Sequence, residues 1–194
     1  ADRGRQVLRA CFLVQVLGLL LAGTLASAQN VVGAEGGVPV LDERTALAAG
    51  QAAIGRQIGD YTLLDRQGRA VQLSSYRGKP LLVSFIYTAC PDRLGCPLAS
   101  QTLRDLQARL RESDLARQTA LVSISFDPER DHPAQLAKYA QVYDADPALW
   151  RFLTAPSGRV LDAVLESYGQ DRTPERDERG RPTGRIRHVL KVFL

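Results

Sequence analysis

Runs of apolar residues divide this chain into segments that predict alternating strands and helices. Two unbroken apolar runs, at 81–87 and 120–126, are typical of strands buried on both faces of a sheet. Alternating residues on either side of Gln67-Gly68 predict a hairpin over 61–73. Shorter apolar segments predict further strands at 150–153 and 189–194.

Apolar residues at helical spacing lie between these predicted strands. Leu103, Leu106 and Leu110 share one face of a helix that follows Pro97. The other predicted helices are a short Ala-rich one at Thr45–Ala53, one opened by Pro133 with Leu136, Tyr139 and Tyr143 on its apolar face, and one at Val160–Tyr168 with Val160, Val164 and Leu165 facing inwards. The strand–helix order predicts a three-layer α/β domain.

The first residues have the composition of an export segment. Arg3, Arg5 and Arg9 precede an apolar stretch over 11–25, and Ala26-Ser27-Ala28 follows it. This arrangement is typical of a secretory signal peptide, and an uncleaved membrane anchor is the alternative. We therefore expect residues 1–28 to be a signal peptide or membrane anchor, 29–54 a linker, and 55–194 the folded domain. Either route predicts an exported protein, periplasmic or anchored to the inner membrane and facing the periplasm.

The charge balance gives no indication of a nucleic-acid partner. The chain has 25 basic and 21 acidic residues, and residues 1–28 contain three Arg and one Asp. The remainder therefore has 22 basic and 20 acidic residues. So small an excess does not predict binding to nucleic acid or to a polybasic membrane patch.

The cysteines point to a site at the carboxyl end of the first buried strand. Cys11 lies at the start of the apolar stretch and is interpreted as a small apolar residue, so the predicted domain contains only Cys90 and Cys96. A single close pair in an exported domain is more typical of a site than of a disulfide framework, and a disulfide across so short a loop would stabilise little. Pro97 places Cys96 at a helix start, where the helix dipole is expected to lower the pKa of its thiol.

Two kinds of chemistry fit these residues. Cys90, Cys96 and a distant imidazole at His188 would form a donor set that suits soft metal ions, above all copper(I). The two thiols alone could instead carry out thiol–disulfide exchange. His188 opens the predicted last strand, where a histidine by itself is more often a surface residue than a ligand.

A polar segment after the second buried strand predicts local structure. Asp131 or His132 is expected to cap the helix that Pro133 opens. Asp127, Glu129 and Asp131 are a weak candidate for a hard-metal site. The arginine-rich stretch over 171–187 predicts a solvated hairpin or loop.

Taken together, these motifs resemble the Sco/SenC family of copper chaperones. The resemblance covers about residues 55–194 and rests on Tyr87-Thr88-x-Cys90…Cys96-Pro97, on Ser125-Phe126-Asp127-Pro128-Glu129-Arg130-Asp131, on His188, and on Gly68, Leu73 and Gly78-Lys79-Pro80. It implies a thioredoxin-like fold and one copper bound by Cys90, Cys96 and His188.

The same resemblance implies a role and a set of partners. The role is delivery of copper to the dinuclear copper centre of cytochrome c oxidase subunit II, or reduction of the thiols there. Other copper carriers or thiol reductants are further implied partners. The alternative is a thiol–disulfide oxidoreductase acting on exported cysteine-containing proteins.

The chain departs from the family pattern at three places. Five residues separate Cys90 from Cys96, whereas the usual family spacing is three. His132 stands where relatives often have Thr, and a structural role is expected for it. The family pattern continues beyond the segment ending at Leu194, so the expectation is a domain truncated at its C-terminus with an exposed edge on its last strand.

Overall fold

The computed structural model describes residues 42–194 as a mixed α/β domain. The helices are α1 (Glu43–Ala53), α2 (Cys96–Arg111), α3 (Pro133–Val142) and α4 (Gly158–Tyr168). The strands are β1 (Thr62–Asp65), β2 (Ala70–Gln72), β3 (Leu81–Ile86), β4 (Ala120–Ser125), β5 (Trp150–Thr154), β6 (Thr173–Arg176), β7 (Pro182–Arg187) and β8 (Val192–Phe193). Short 3-10 turns lie at Leu73–Tyr76 and Asp114–Arg117.

Six strands form the main sheet, in the order β2-β1-β5-β4-β3-β8. The neighbours β3, β4 and β5 run parallel, whereas β1 pairs antiparallel with β2 and β5, and β8 pairs antiparallel with β3. Strands β6 and β7 form a separate antiparallel hairpin. The hairpin expected around Gly68 and the one expected within 171–187 are both confirmed.

Helices cover both faces of this sheet. The parallel register places Ser84, Ser123 and Phe152 in one row. Phe152 contacts Tyr139 of α3, whose hydroxyl lies 3.1 Å from the Ser100 hydroxyl of α2. The next row includes Phe85, which contacts Tyr168 of α4 on the other face. Because adjacent residues of a strand point to opposite faces, α2 and α3 lie on one side and α4 on the other, as a three-layer domain requires.

A small polar cluster is buried beneath α2 and α3. The hydroxyls of Ser84 and Ser123 lie 2.9 Å apart, and the indole N–H of Trp150 donates to the Ser123 hydroxyl at 3.0 Å. All three side chains are nearly or fully inaccessible to solvent. Each polar group has at least one hydrogen-bond partner, so the cluster joins β3, β4 and β5 through buried hydrogen bonds.

The strand expected over 189–194 is mostly absent, which corrects the sequence analysis. Only Val192 and Phe193 pair with β3. The Gln170 amide donates to the carbonyl of Val189 at 3.1 Å. The Lys191 ammonium is directed inwards and donates to the carbonyls of Ala46 and Gly169, at 2.7 and 2.8 Å. A buried ammonium requires such partners, and residues 189–191 bend towards them instead of pairing with β3.

The Ala-rich helix is confirmed and packs onto the domain. Asp42 caps it by accepting from the Arg44 backbone N–H. Gly169 follows the last residue of α4 with a φ of +60°, and a Cβ at that position would overlap the carbonyl oxygen of Ala49 in α1. Glycine is therefore required there both for the left-handed conformation and for the close approach of the two helices.

The predicted signal or anchor segment, residues 1–28, lies outside the described residues, as does the linker as far as residue 41. Within residues 42–194, none of the helices is both long and apolar enough to cross a bilayer. The proposed boundary between linker and domain at residues 54 and 55 stays a prediction.

We expect Gly169→Ala to lower the free energy of unfolding by more than about 2 kcal/mol. The left-handed conformation alone costs alanine about 1–2 kcal/mol, and the overlap with Ala49 adds to that cost. Urea denaturation followed by circular dichroism measures the change. Gly158→Ala is the matched control, since nothing lies near its added Cβ. Equal stability of the two variants would contradict this account of the contact between α1 and α4.

Candidate metal and thiol site

The two cysteines lie where the parallel strands β3 and β4 end. Strand β3 ends at Ile86, and the chain continues through Tyr87 into the loop that carries Cys90. Strand β4 ends beside it at Ser125, in register with Ile86. This edge is the position at which open α/β sheets place their sites, as the sequence predicted.

The thiols differ sharply in exposure. Cys96 is the first residue of α2 and has no solvent-accessible surface, whereas Cys90 is partly exposed. Both are free thiols. The loop folds back close to the helix start, since a Cβ built on Gly95 would be in van der Waals contact with the sulfur of Cys90, at 3.4 Å.

His188 lies against the buried thiol. Its Nε2 is 3.6 Å from the sulfur of Cys96, and its Nδ1 is 3.0 Å from the carbonyl oxygen of Ile186. A carbonyl can only accept, so Nδ1 carries the proton and Nε2 presents its lone pair to Cys96. The ring packs on Phe126, with centroids 4.7 Å apart. His188 follows β7 and precedes β8, so it does not open a strand as expected, but it does reach the site.

The two thiols interact, and this interaction separates their proton affinities. The hydrogen bond from Cys96 lowers the pKa of the Cys90 thiol to about 5, against the opposing effect of its partial burial. The same hydrogen bond and deep burial raise the pKa of Cys96. The expectation of a low pKa at Cys96 is therefore wrong. Its position at the helix start is confirmed, but burial makes it the proton donor and Cys90 the thiolate.

Tyr87 connects the two halves of the site. Its hydroxyl accepts from the backbone N–H of Ile186 at 3.4 Å, two residues before His188. Burial raises the pKa of Tyr87 to about 12, so the hydroxyl keeps its proton near neutral pH. That O–H is available to Cys90, and its hydrogen bond also helps lower the pKa of the Cys90 thiol.

Asp131 anchors the cysteine loop to the end of β4. Its carboxylate accepts from the backbone N–H of Thr88 at 3.0 Å, from the Thr88 hydroxyl at 2.6 Å and from the Ser125 hydroxyl at 2.6 Å. The side chain is completely buried, and burial raises the pKa of this carboxyl against the effect of those hydrogen bonds. Asp131 does not cap α3, and His132 occupies the cap position without a side-chain hydrogen bond, so the predicted capping role is wrong.

The other candidate residues do not form a metal site. Asp127 pairs with Arg130, Glu129 is exposed and Asp131 is occupied by Thr88 and Ser125. Within residues 42–194, no three His, Cys, Asp or Glu side chains already surround one metal position. Cys90, Cys96 and His188 are therefore neighbouring donors rather than a finished cage.

The spacing of the Cys96 sulfur and the His188 Nε2 fits a shared metal ion. Metal bonds of about 2.3 Å to sulfur and about 2.0 Å to nitrogen, taken from zinc sites, place the two donors about 3.7 Å apart at a trigonal angle. The separation between Cys96 Sγ and His188 Nε2 is 3.6 Å. Two of the three donors thus have the spacing that a bound metal requires.

Comparison with known proteins decides the family. The family model described as SCO1/SenC matches residues 50–194. The chain belongs to the SCO1/SenC family. The SCO1 protein homolog of Bacillus subtilis is 34% identical over 113 residues, which are 58% of this chain and 56% of that protein. The chain spans from about a third to just over half of the length of these curated relatives, which include the SCO2 homologs of mouse and cattle.

Solved structures of family members share the fold. The structure of Bradyrhizobium japonicum ScoI with copper bound has a TM-score of 0.58 at 28% identity, covering 70% of this chain and 81% of that one. BsSco is described as a member of the Sco family of cytochrome c oxidase assembly proteins and as having a disulfide switch. Its structure matches with a TM-score of 0.55 at 27% identity, covering 72% of this chain and 84% of that one. The thioredoxin-like fold expected from the sequence is confirmed.

Cys90 is expected to react as a thiolate well below neutral pH. Thiol alkylation requires the thiolate, and a pKa of about 5 means that the rate should be near its maximum at pH 6.5 and fall as the pH drops through 5. Alkylation by iodoacetamide, measured by peptide mass spectrometry across pH 4–9, gives the profile. In denaturant, the pKa of the Cys90 thiol obtained from the same profile should be close to the ordinary cysteine pKa of about 8.5. A rate at Cys90 that still rises between pH 7 and 9 would contradict the interaction between the two thiols.

Asp131→Ala should destabilise the domain by about 2–3 kcal/mol, because it leaves the Thr88 backbone N–H and two hydroxyls without their acceptor. Asp131→Asn should cost less than about 1 kcal/mol, since the amide oxygen still accepts and the Thr88 hydroxyl can turn to accept from the amide. Urea denaturation of both variants measures the difference. Equal losses would show that the charge of the carboxylate, rather than its hydrogen-bonding shape, holds the loop.

Proposed function

We propose that this protein is an exported copper chaperone that binds one copper(I) ion through Cys90, Cys96 and His188. The observation that carries the proposal is the 3.6 Å contact between Cys96 Sγ and His188 Nε2, with the free Cys90 thiol on the loop that leads into α2. Two thiolates and one imidazole are donors that favour copper(I) over harder ions. Copper bound in the structure of a family member supports the choice of metal.

The three donors have different tasks. Cys96 and His188 form the inner pair, fixed by the start of α2 and by the hydrogen bond from His188 to Ile186. Cys90 lies on the loop between β3 and α2 and is partly accessible to solvent. It is therefore the donor that an incoming or departing copper ion meets first.

The proton balance of loading follows from the interaction between the two thiols. Cys90 is already a thiolate near neutral pH, whereas Cys96 keeps its proton. Of the two thiols only Cys96 has a proton to lose, so the thiols release about one proton at pH 7 when copper binds. An ordinary pair of thiols would release two.

The recipient we propose is the dinuclear copper centre of cytochrome c oxidase subunit II, with other copper carriers or thiol reductants as further partners. The family resemblance and the description of BsSco as belonging to a family of oxidase assembly proteins support this role. The basic and apolar residues at 3–28 support export, with the domain periplasmic or anchored to the inner membrane and facing the periplasm.

Thiol–disulfide exchange is the second candidate, favoured by the thiolate of Cys90 beside the protonated thiol of Cys96. The Cys90 thiolate would attack a partner disulfide, forming a mixed disulfide and releasing one partner thiolate. Cys96 would then lose its proton to the partner and attack the sulfur of Cys90. The products are a Cys90–Cys96 disulfide and a partner dithiol, a transfer of two electrons.

Copper(I) titration of the reduced full chain against a chromophoric chelator tests the ligand set. We expect one copper per chain, and we expect Cys90→Ala, Cys96→Ala and His188→Ala each to weaken binding at least about 100-fold, since even a supporting residue commonly contributes 10–100-fold. The chain offers matched controls in His132→Ala and Cys11→Ser, which change the other histidine and the other cysteine. Both should bind copper as the unchanged chain does.

Two results would contradict the copper proposal. Unchanged affinity in both Cys90→Ala and Cys96→Ala would exclude this site. Rapid reduction of insulin disulfides by the copper-free chain, unaffected by His188→Ala, would favour the oxidoreductase instead.

A further inference from the structure

A polar cavity lies at the end of the sheet opposite the thiols. It has a volume of about 550 Å³ and is formed where β3, β4 and β5 begin, between the Leu73–Tyr76 turn and the Asp114–Arg117 turn. Cys90, Cys96 and His188 lie at the other end of these parallel strands. A ligand in this cavity would therefore leave the thiol site open.

Positive charge dominates the lining of this cavity. Lys79, Arg111, Arg117 and Arg151 contribute to it, and Asp146 is its single acidic residue. The carboxylate of Asp146 is already paired with Arg111 at 3.0 Å. In the part of the chain that the structure describes, Lys79, Arg117 and Arg151 make no ion pair with a carboxylate. The lining thus carries three uncompensated positive charges.

A buried hydroxyl supplies a second, independent feature. Tyr76 lines the cavity, and its hydroxyl oxygen is inaccessible to solvent and has no hydrogen-bond partner of good geometry among residues 42–194. Buried polar groups usually have such a partner, since leaving one unsatisfied is unfavourable. Burial raises the pKa of Tyr76 against the charge of the nearby Arg151 guanidinium and a weak hydrogen bond from it, so the O–H keeps its proton and has no acceptor to donate to among residues 42–194.

We propose that this cavity binds a phosphate-bearing anion. A phosphate monoester carries close to two negative charges at pH 7 and several acceptor oxygens, which match the unpaired cations and the waiting Tyr76 donor. The volume of about 550 Å³ leaves room for the organic group of a phosphate ester beside the phosphate. The same chemistry is offered by a soluble phosphorylated metabolite and by the headgroup of an anionic phospholipid.

Lysine acetylation footprinting reads this site directly. The chain contains three lysines, Lys79, Lys138 and Lys191. Lys79 lines the cavity, and Lys138 is exposed on α3. The full chain is labelled with an acetylating ester in increasing inorganic phosphate at constant ionic strength, and acetylation is quantified by mass spectrometry. We expect the acetylation of Lys79 to slow at least fivefold and to saturate, while that of Lys138 is unchanged.

Three variants distinguish specific phosphate binding in the cavity from nonspecific attraction to the positive charge of the chain. Tyr76→Phe removes only the hydroxyl and should raise the phosphate concentration for half protection about tenfold, as expected for a hydrogen bond to a charged group. Arg117→Gln should raise it by a similar factor. Arg179→Gln is the matched control, because it removes one charge from the exposed tip of the β6–β7 hairpin and should change nothing.

Vesicles distinguish the two sources of phosphate. In phosphate-free buffer, protection of Lys79 by phosphatidylglycerol vesicles but not by phosphatidylcholine vesicles identifies a lipid headgroup. Protection by phosphate alone identifies a soluble ester. If neither protects Lys79, if Lys79 and Lys138 slow together, or if Arg179→Gln weakens protection as much as Arg117→Gln, the proposal is overturned.

Discussion

Parallel pairing of β3 with β4 in register over six residues determines where the candidate site forms. Because both strands end together, the chain leaves β3 at Tyr87 beside the point where it leaves β4 at Phe126. The buried Asp131 carboxylate then fastens Thr88 to Ser125 across this gap. The cysteine loop is thus held at its root, while the segment carrying Cys90 remains exposed. A site that exchanges a ligand with a partner needs both properties.

Unequal burial of the two thiols gives the site its polarity. Cys96 is enclosed at the start of α2 and keeps its proton, whereas Cys90 is partly solvated and ionises first. An enclosed, charged sulfur would cost more free energy than an exposed one, so the proton stays on the inner thiol. The same asymmetry suits both candidate functions. For copper it provides an outer donor and an inner pair, and for exchange it provides an attacking thiolate and a resolving thiol.

The third donor reaches the site through an irregular part of the chain. Lys191 and Gln170 hold residues 189–191 out of the sheet, and His188 precedes this segment immediately after β7. The imidazole is fixed by the Ile186 carbonyl and by the ring of Phe126 rather than by strand pairing. The β6–β7 hairpin therefore brings His188 to the site at the end of β7. The Ile186 carbonyl, within the hairpin, and the Phe126 ring, at the end of β4, together orient the imidazole. At the opposite end of the sheet, the lysine and arginine cavity is separate from these contacts.

The sequence alone determined the order of strands and helices and the position of the cysteines at a strand end. Those features depend on local periodicity, on proline and glycine, and on apolar runs, all of which are visible along the chain. It also brought His188 into the candidate ligand set through the family motifs. Tertiary structure decided which thiol ionises, because burial at Cys96 depends on the whole sheet and outweighs the helix start. It also decided that Asp131 binds Thr88, a residue 43 positions earlier, instead of capping its own helix. A hydrogen bond of that kind depends on the pairing of two strands, which local sequence patterns do not contain.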